Sequence, residues 1–255
     1  MNVVFCLYLI PHFELHSSIS ILKTLKMAIA NPLDPRYKIV EASEADMDEI
    51  MRVCQLAFGS DEIWQLAFKA CDTEDIHSWL MEHLVPRWNM PDIITYKCQE
   101  VSSGKIVAWT ALQFPWTQNP KKGDAVMTKE LKEEALDHSL PPQPEGCFEP
   151  GLVEFFNCLG GANDLGYDPE TEYHRKGTMV HPDFQKQGLG SALTQRTNDT
   201  ADKLGSSKTW APARSTSIKM FRNMGFLDIG EVDGHLERFG VPRKGSITYI
   251  VRRDA

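Results

Sequence analysis

The 255-residue sequence lacks several features that would assign it to a familiar class. Its six cysteines are scattered and none forms a C-x-x-C pair, so there is no zinc signature and disulfides are not expected. A net charge of −8 argues against a general nucleic-acid-binding protein. No apolar run is long enough to span a bilayer. These absences favour a reduced, cytoplasmic globular protein that binds no metal, nucleic acid or membrane.

The N-terminal residues lack the elements of a secretory signal. The apolar segment 2–10 is short and no basic residue precedes it, whereas such a signal begins with positive charges. A second methionine, Met27, opens a stretch typical of an ordinary protein start. We therefore predict that residues 1–35 are a flexible leader and that residues 36–255 form the functional domain. The alternative for residues 1–26 is an upstream start codon that lies outside the functional domain.

A loop at residues 185–190 is the most informative part of the sequence. It follows a predicted strand and precedes helical periodicity that begins at Leu189. Gly188 and Gly190 let a ligand approach the backbone, and the first amides of a helix favour an anion such as phosphate. A P-loop is excluded because Gly190 is followed by Ser-Ala rather than Lys-Ser/Thr. A dinucleotide fingerprint is excluded because it needs three glycines in register.

The pattern Gln185-x-x-Gly188-x-Gly190 resembles the acyl-CoA loop of the GNAT superfamily of N-acetyltransferases. The segment 213–226, which ends in Gly225-Phe226, resembles the closing segment of the same family, and fungal-type members with an insertion before the loop are the most similar. The loop also lies in a basic stretch of an acidic protein, which suits a polyanionic cofactor such as CoA. Between residues 174 and 222 there are nine Lys and Arg residues against three acidic ones, although some of these charges belong to solvated helix faces.

The order of the predicted elements in the first half of the chain supports this resemblance. Alternation at 37–41 predicts a strand, and Ser43 is the predicted N-cap of a helix that ends at Gly59. Further helical segments follow, which Pro86 is expected to end. A turn joins the segments 93–98 and 105–112, which predicts a hairpin.

The second half of the chain contains an insertion and then the family core. Residues 117–172 hold twelve acids and four lysines, which predicts solvated surface, or an acidic border of the acceptor pocket that attracts a cationic amine. Helices are predicted at about 128–137 and 152–158. The later predictions are strands at 173–180, 208–213, 227–232 and 247–252 and helices at 191–204 and 215–224.

The resemblance implies a fold, a cofactor and a set of binding residues. The implied fold is α+β, with a mixed and mostly antiparallel central sheet flanked by helices and a splayed strand pair that holds CoA. The implied co-substrate is acetyl-CoA, the partner an amine acceptor, and the assembly a monomer or homodimer. Backbone groups of Met179 and Val180 would hold the pantetheine arm. The other implied contacts, to the pyrophosphate and the CoA arm, come from Gln185, Lys186, Gln187, Gly188, Leu189, Gly190, Ser191, Ser217 and Phe221.

The implied reaction is direct attack of an amine on the thioester within a ternary complex. The amine must lose a proton first, because alkyl ammonium groups have a pKa of ~10. We predict that Glu154 and His174 are the catalytic candidates, and Glu149 and Glu172 remain alternatives. Many family members protonate the leaving sulfur with a tyrosine, whose place is taken here by Phe221.

Three functions therefore remain open at the level of sequence. The first is acetylation of a primary amine of a small molecule. The second is acetylation of a protein, at lysine or at an N-terminus, which an open groove beside the splayed strands would favour. The third is a CoA-binding module with little turnover, which the departure at Phe221 would favour.

Overall fold

A central β-sheet organises the part of the chain that the structure describes. The structure is a computed structural model that describes residues 33–118, 120, 125–137, 139–205 and 208–254. The predicted leader therefore lies outside the described residues except for 33–35. The strands are β1 (Tyr37–Glu41), β2 (Ile93–Glu100), β3 (Ile106–Gln113), β4 (Tyr173–Val180), β5 (Lys208–Ala213), β6 (Leu227–Asp233) and β7 (Ile247–Asp254).

The sheet is mixed, and its strand order is β1-β2-β3-β4-β5-β7-β6. Each neighbouring pair is antiparallel except β4 and β5, which run parallel. Parallel neighbours need a long crossover connection. Here the crossover is the predicted loop with the long helix that follows it, which places both beside this strand pair. The mixed and mostly antiparallel sheet expected from the sequence is confirmed.

Helices cover both faces of the sheet. Their bounds are α1 (Met47–Phe58), α2 (Glu62–Phe68), α3 (Thr73–His83), α4 (Val85–Asn89), α5 (Lys129–Leu136), α6 (Glu149–Gly160), α7 (Leu189–Lys203), α8 (Ile218–Asn223) and α9 (Arg243–Ser246). Within the described ranges, no helix is both long enough and apolar enough to cross a membrane.

Alternation along β3 separates the two faces of the sheet. Trp109 and Ala111 pack with apolar residues of α1, α2 and α3, whereas Leu112 packs on the opposite face with Ala201 of α7. We call these the α1 face and the α7 face. A β4 residue that pairs with a β3 residue points to the same face of the sheet as its partner. The pairing therefore shows on which face each β4 side chain lies.

Most element predictions are correct, and the errors concern helix ends. Pro86 does not end a helix but occupies the first turn of α4, where a missing N–H leaves no hydrogen bond unmade. The helix predicted from residue 215 begins at Ile218, because residues 214–217 form a turn closed by a bond from Ser217 N to Arg214 O. Helix α6 is longer than predicted at both ends, because the chain continues helically through Gly151 and Gly160.

Candidate acyl-CoA and acceptor site

The parallel strands β4 and β5 part shortly after they begin. They pair only at Tyr173 with Thr209 and at His174 with Trp210, and the pairing does not continue beyond His174 in the described residues. From Arg175 onward the edge of β4 that faces β5 carries unpaired backbone groups, which need partners when they are buried. Met179 and Val180 lie on this part of β4, where β3 pairs with its other edge. The splayed strand pair expected from the resemblance is present.

Pro212 lies in the half of β5 that follows this separation. It pairs on one side with Ile250 of β7. A proline has no N–H to donate, so it fits a position whose other side has no strand neighbour. The sequence therefore contains a local reason for the parting of the two strands.

The loop between β4 and α7 has the backbone conformation of an anion-binding turn. Lys186 and Gly188 both have positive φ, at 61° and 82°, and such alternation turns successive N–H groups toward one point. The first helical bond of α7 runs from Ala192 N to Gly188 O, so the earlier amides have no acceptor within the helix. Side chains hold the loop in place, since Gln185 Nε2 donates to Val180 O at 3.1 Å and Tyr37 donates to Gln187 at 2.8 Å.

The side chains of this loop and its helix divide into exposed and structural groups. Lys186 and Ser191 are exposed. Leu189 is buried among core residues of the α7 face, so only its backbone is available to a ligand. A Cβ on Gly190 would lie 3.5 Å from Met220 Sδ, which shows that the start of α7 is next to α8. The loop that presents the free amides therefore lies next to α8 in space.

Helix α8 places an aromatic ring below the parted strands. Phe221 is buried against Ala211 and Ala213 of β5. Ser217 lies one turn earlier, and its hydroxyl donates to Arg214 O at 3.2 Å, so it closes the turn that starts the helix. Its backbone carbonyl accepts a bond from Phe221 N at 3.3 Å.

A buried guanidinium from β4 contacts the Phe221 ring. Arg175 pairs with Leu112 and therefore points to the α7 face, where its Cζ lies 5.1 Å from the centroid of Phe221. Its side chain is fully buried, and Nη2 donates to the hydroxyls of Thr110 and Thr178. Nε and Nη1 are buried without a partner in the described residues. Burial lowers the pKa of Arg175 to about 9, so the group remains a cation at neutral pH.

The α1 face of the same strands carries a second set of buried polar groups. His174 pairs with Gln113 of β3 and lies under the ring of Tyr167, at 5.0 Å between centroids. Tyr167 also contacts Trp210 of β5, at 6.3 Å. Gln113 Oε1, His174 Nδ1 and the Tyr167 hydroxyl are all buried without a partner in the described residues. Burial holds the pKa of His174 well below its usual value, so its imidazole is neutral.

A β-bulge brings a lysine to this polar cluster. Ala111 pairs with Gly177 and Leu112 with Arg175, so Lys176 is an extra residue on β4. Lys176 has no hydrogen bond or ion pair in the described residues, but it interacts electrostatically with Arg87 and Asp92. Burial, with a further contribution from the Arg87 cation, lowers the pKa of Lys176 to about 7.

Three of the predicted acid–base candidates have other environments. Glu154 accepts a hydrogen bond from Arg238 Nη2 at 2.9 Å. Glu172 is buried and accepts from Trp210 Nε1 and from Lys208 Nζ, both at 2.7 Å, so it braces the starts of β4 and β5. Glu149 is exposed at the start of α6. Among the four candidates, His174 is the one buried beside the parted strands with an unpartnered ring nitrogen.

The sequence reasoning did not single out Arg175 or Lys176. Both lie in the strand predicted from the resemblance, where charged residues seemed only to weaken strand propensity. A buried charge is costly unless it has a use or a partner, so two adjacent basic residues in a central strand were the available signal. Two surface cavities of about 400 and 520 Å³ lie near α1, and neither is lined by residues 185–191.

Comparisons with known proteins agree with this architecture. Residues 143–226 match the model of the acetyltransferase (GNAT) family. An uncharacterized protein of Mycobacterium leprae is 29% identical over 129 residues, a match that covers 45% of this chain and 34% of that protein. This chain therefore spans about a third of the length of the curated relative it matches.

Two mosquito structures show the fold. The protein described as arylalkylamine N-acetyltransferase 7 of the yellow fever mosquito aligns with a TM-score of 0.53 at 12% identity, over 86% of this chain and 87% of its own. A mosquito arylalkylamine N-acetyltransferase like 5b aligns with a TM-score of 0.50 at 13% identity, over 86% of this chain and 100% of its own.

The parted strands, the amide-lined loop and the mixed sheet together define an acyl-CoA-dependent acyltransferase fold. Residues 143–226, which include the loop and both parted strands, are similar to the acetyltransferase (GNAT) family.

Proposed function

We propose that this protein transfers an acetyl group from acetyl-CoA to a primary amine of a small molecule, by direct attack within a ternary complex. The amides of residues 188–191 bind the pyrophosphate, and the open edge of β4 at Met179 and Val180 binds the pantetheine arm. The thioester then lies between β4 and β5. The amine approaches it from the α1 face of the sheet, and the sulfur departs on the α7 face.

The observation that carries the choice of acceptor is the position of Tyr167. This residue belongs to the predicted acidic insertion, and its ring covers His174 and Trp210 at the point where the strands part. A protein substrate needs an open groove to admit an extended backbone. A side chain that is only 9% exposed and lies over the strand pair favours a small acceptor instead.

The polar atoms beneath Tyr167 suit the chemistry of an amine. Gln113 Oε1 and the neutral ring nitrogen of His174 accept hydrogen bonds, and both are buried without a partner in the described residues. An ammonium group offers three donors, and a neutral imidazole can take the proton that it must lose before attack. We therefore propose His174 as the base for this step.

The test is release of free thiol from acetyl-CoA in the presence of an amine panel. We expect release with small primary amines and little with peptides that offer a lysine or a free N-terminus. Release with peptides at an equal or higher rate would contradict the choice of acceptor. Binding of acetyl-CoA without release on any amine would support the CoA-binding module, which Phe221 favours.

A pair of tyrosine variants sharpens this test. Tyr167→Ala removes the cover, and we expect it to admit larger amines and to raise the KM for small ones without changing the KM for acetyl-CoA. Tyr173→Phe is the matched control, because the hydroxyl of Tyr173 donates to Gln118 at 2.6 Å and its ring packs with Leu112 on the α7 face. Identical acceptor profiles for Tyr167→Ala and the wild type would contradict the assignment of the pocket.

A further inference from the structure

We propose that Arg175 is a catalytic residue that stabilises the departing CoA thiolate, in the place of the proton donor that Phe221 cannot supply. This inference rests on the proposed function, because it assigns a role within the same reaction. It concerns the α7 face of β4, whereas the acceptor groups lie on the α1 face.

The first argument is position. Arg175 is the first residue of β4 beyond the pairing with β5, which ends at His174. Its guanidinium lies 5.1 Å from the centroid of Phe221, and the same ring packs against Ala211 and Ala213 of β5. The cation therefore lies where the two strands part, next to a ring that also packs on β5. A thioester held between these strands brings its sulfur close to this point.

The second argument is the incomplete hydrogen bonding of the guanidinium. Arg175 is 1% exposed, and within the described residues its partners are two neutral hydroxyls rather than a carboxylate. Nε and Nη1 have no partner among the residues that the structure describes. A buried cation normally has an anion and a full set of hydrogen bonds, because desolvation is costly otherwise. Two free donors on a buried cation suit an anion that is present only during part of a reaction cycle, because that anion accepts their hydrogen bonds when it forms.

The third argument is that the guanidinium is held in place before any ligand arrives. Thr110 and Thr178 are paired across β3 and β4, and both hydroxyls contact Nη2. The Phe221 ring lies within cation–π distance of the same group, with its centroid 5.1 Å from Cζ. Donors fixed in advance stabilise developing charge without reorganisation, which is the condition for efficient electrostatic catalysis.

The reaction step that follows is balanced without a proton from the protein. The neutral amine nitrogen forms a bond to the thioester carbonyl carbon, and the C–S bond breaks with its electron pair on sulfur. The N–H groups of Arg175 hydrogen-bond to that thiolate and neutralise its charge. Arg175 keeps its proton, since its pKa of about 9 lies above the lowered pKa expected for the bound thiol, and the thiolate takes a proton from water when CoA leaves. The base on the α1 face first releases to water the proton that it took from the ammonium group, and it then accepts the excess proton on the attacking nitrogen.

The experiment compares kcat and the pKa of the CoA thiol bound to the protein. We expect Arg175→Met to lower kcat about 100-fold with a small change in the affinity for acetyl-CoA, as for the loss of an oxyanion donor. Thiolate absorbance of bound CoA is then followed as pH is raised. In the wild type the pKa of the bound thiol should lie at least about one unit below the pKa of free CoA measured in the same buffer. In Arg175→Met it should ionise at or above that value.

A second variant separates chemistry from packing. In the double variant Arg175→Met with Phe221→Tyr, the tyrosine hydroxyl restores a proton donor at the same place, and we expect kcat to recover at least about tenfold over the single variant. A merely structural loss would not be rescued by adding a hydroxyl to the neighbouring ring. Arg222→Met is the matched control, since Arg222 is exposed on α8 next to Phe221. Its Cζ lies 5.8 Å from the centroid of the Tyr249 ring, and its Nη2 lies 2.6 Å from Asp228 Oδ2. This control variant should change neither readout.

The outcomes distinguish this inference from the proposed function. Turnover by the wild type with an unshifted thiol pKa overturns the role of Arg175 alone, and that measurement needs no variant. Unchanged kcat in Arg175→Met also overturns it. The absence of thiol release by the wild type on any amine overturns the proposed function instead, while the titration of bound CoA still tests the electrostatic effect of Arg175.

Discussion

His174 and Trp210 form the last pair between the two parallel strands of the sheet. Glu172 fixes this end, because its carboxylate accepts hydrogen bonds from Trp210 Nε1 and Lys208 Nζ at 2.7 Å each. The strands are thus joined firmly at their starts and separate just beyond the joint. This geometry leaves backbone groups of β4 available to an extended ligand on the side where β5 no longer reaches. Tyr167 closes the α1 face at the same point.

The glycines of the loop provide a test of CoA binding. Gly188→Glu and Gly190→Glu each place bulk and negative charge at the proposed pyrophosphate site, and we expect each to weaken CoA binding more than about tenfold in calorimetric titration. Gly205→Glu is the control for Gly188→Glu. Gly205 lies at the other end of α7 with a φ of 74°, close to the 82° of Gly188, and a Cβ at either position meets no atom within 4 Å. The control variant should carry the same backbone strain with unchanged affinity. Wild-type affinity in both loop variants would refute the loop assignment.

Gly190 also permits a finer distinction. A Cβ at this position would meet Met220 Sδ at 3.5 Å and a Val180 carbon at 3.8 Å, which are ordinary contacts. We therefore expect Gly190→Ala to fold with wild-type stability. A Cβ at Gly188 meets no atom but requires a residue at φ 82°, which costs roughly 1 kcal/mol for a non-glycine residue. Thermal unfolding of the two alanine variants should show the larger loss in Gly188→Ala.

His174 predicts a specific sensitivity to acid. Burial holds its pKa in the folded protein well below the usual value, so below pH ~6.5 the unfolded chain binds a proton that the folded protein does not. The free energy of unfolding should therefore fall as pH drops below ~6.5. Urea unfolding of His174→Gln from pH 7 to pH 5 should show a smaller fall than the wild type. Parallel curves for the two proteins would show that His174 is not kept neutral.

Lys176 predicts the corresponding effect at alkaline pH. Its pKa is about 7 in the folded protein and ~10.4 in an unfolded chain, so between these values the unfolded chain binds the extra proton. Stability contributed by this site rises with pH through that window, and the full cost of the buried amine is present below about pH 7. We expect Lys176→Met to be about 1–3 kcal/mol more stable than the wild type at pH 7. The difference should shrink by pH 10, and a difference independent of pH would contradict the assignment.

A substitution of Asp92 tests the buried ion pair between Asp92 and Arg87, which lies near Lys176. Asp92 is fully buried and accepts bonds from Arg87 at 2.7 and 2.9 Å and from Trp116 Nε1 at 2.9 Å. Asp92→Asn leaves the Arg87 cation without its anion, and we expect a loss of about 3–5 kcal/mol in the free energy of unfolding. Asp34→Asn breaks the exposed pair with Arg36 and should leave the stability almost unchanged, because solvent screens that pair. Equal losses in the two variants would show that burial does not strengthen the inner pair.

The sequence predicted most strands of this protein well because their signals are local, whereas β4 was predicted from the family resemblance. Alternation gave β1, the β2–β3 hairpin and the closing strands, and Gly59 and Gly225 marked helix ends. The errors arose at helix ends, where contacts with surrounding residues decide whether the helix continues. Pro86 could end a helix or begin one, and nothing local distinguishes these. The turn at 214–217 depends on hydrogen bonds between Arg214 and Ser217 that shorten the predicted helix.

The sequence by itself predicted the candidate anion-binding loop, because backbone freedom at Gly188 and the free amides at a helix start are properties of a short segment. It also showed that Phe221 cannot donate a proton. Only the tertiary structure decided which charged groups lie beside the parted strands. Glu154 and Glu172 have the right chemistry, but each is bound to a partner distant in sequence. Arg175 is buried with two donors unused, and Lys176 beside it is half-buried without a hydrogen bond in the described residues. Burial and partnership depend on contacts between strands and helices far apart in the chain, and those contacts decide what each of these charges can do.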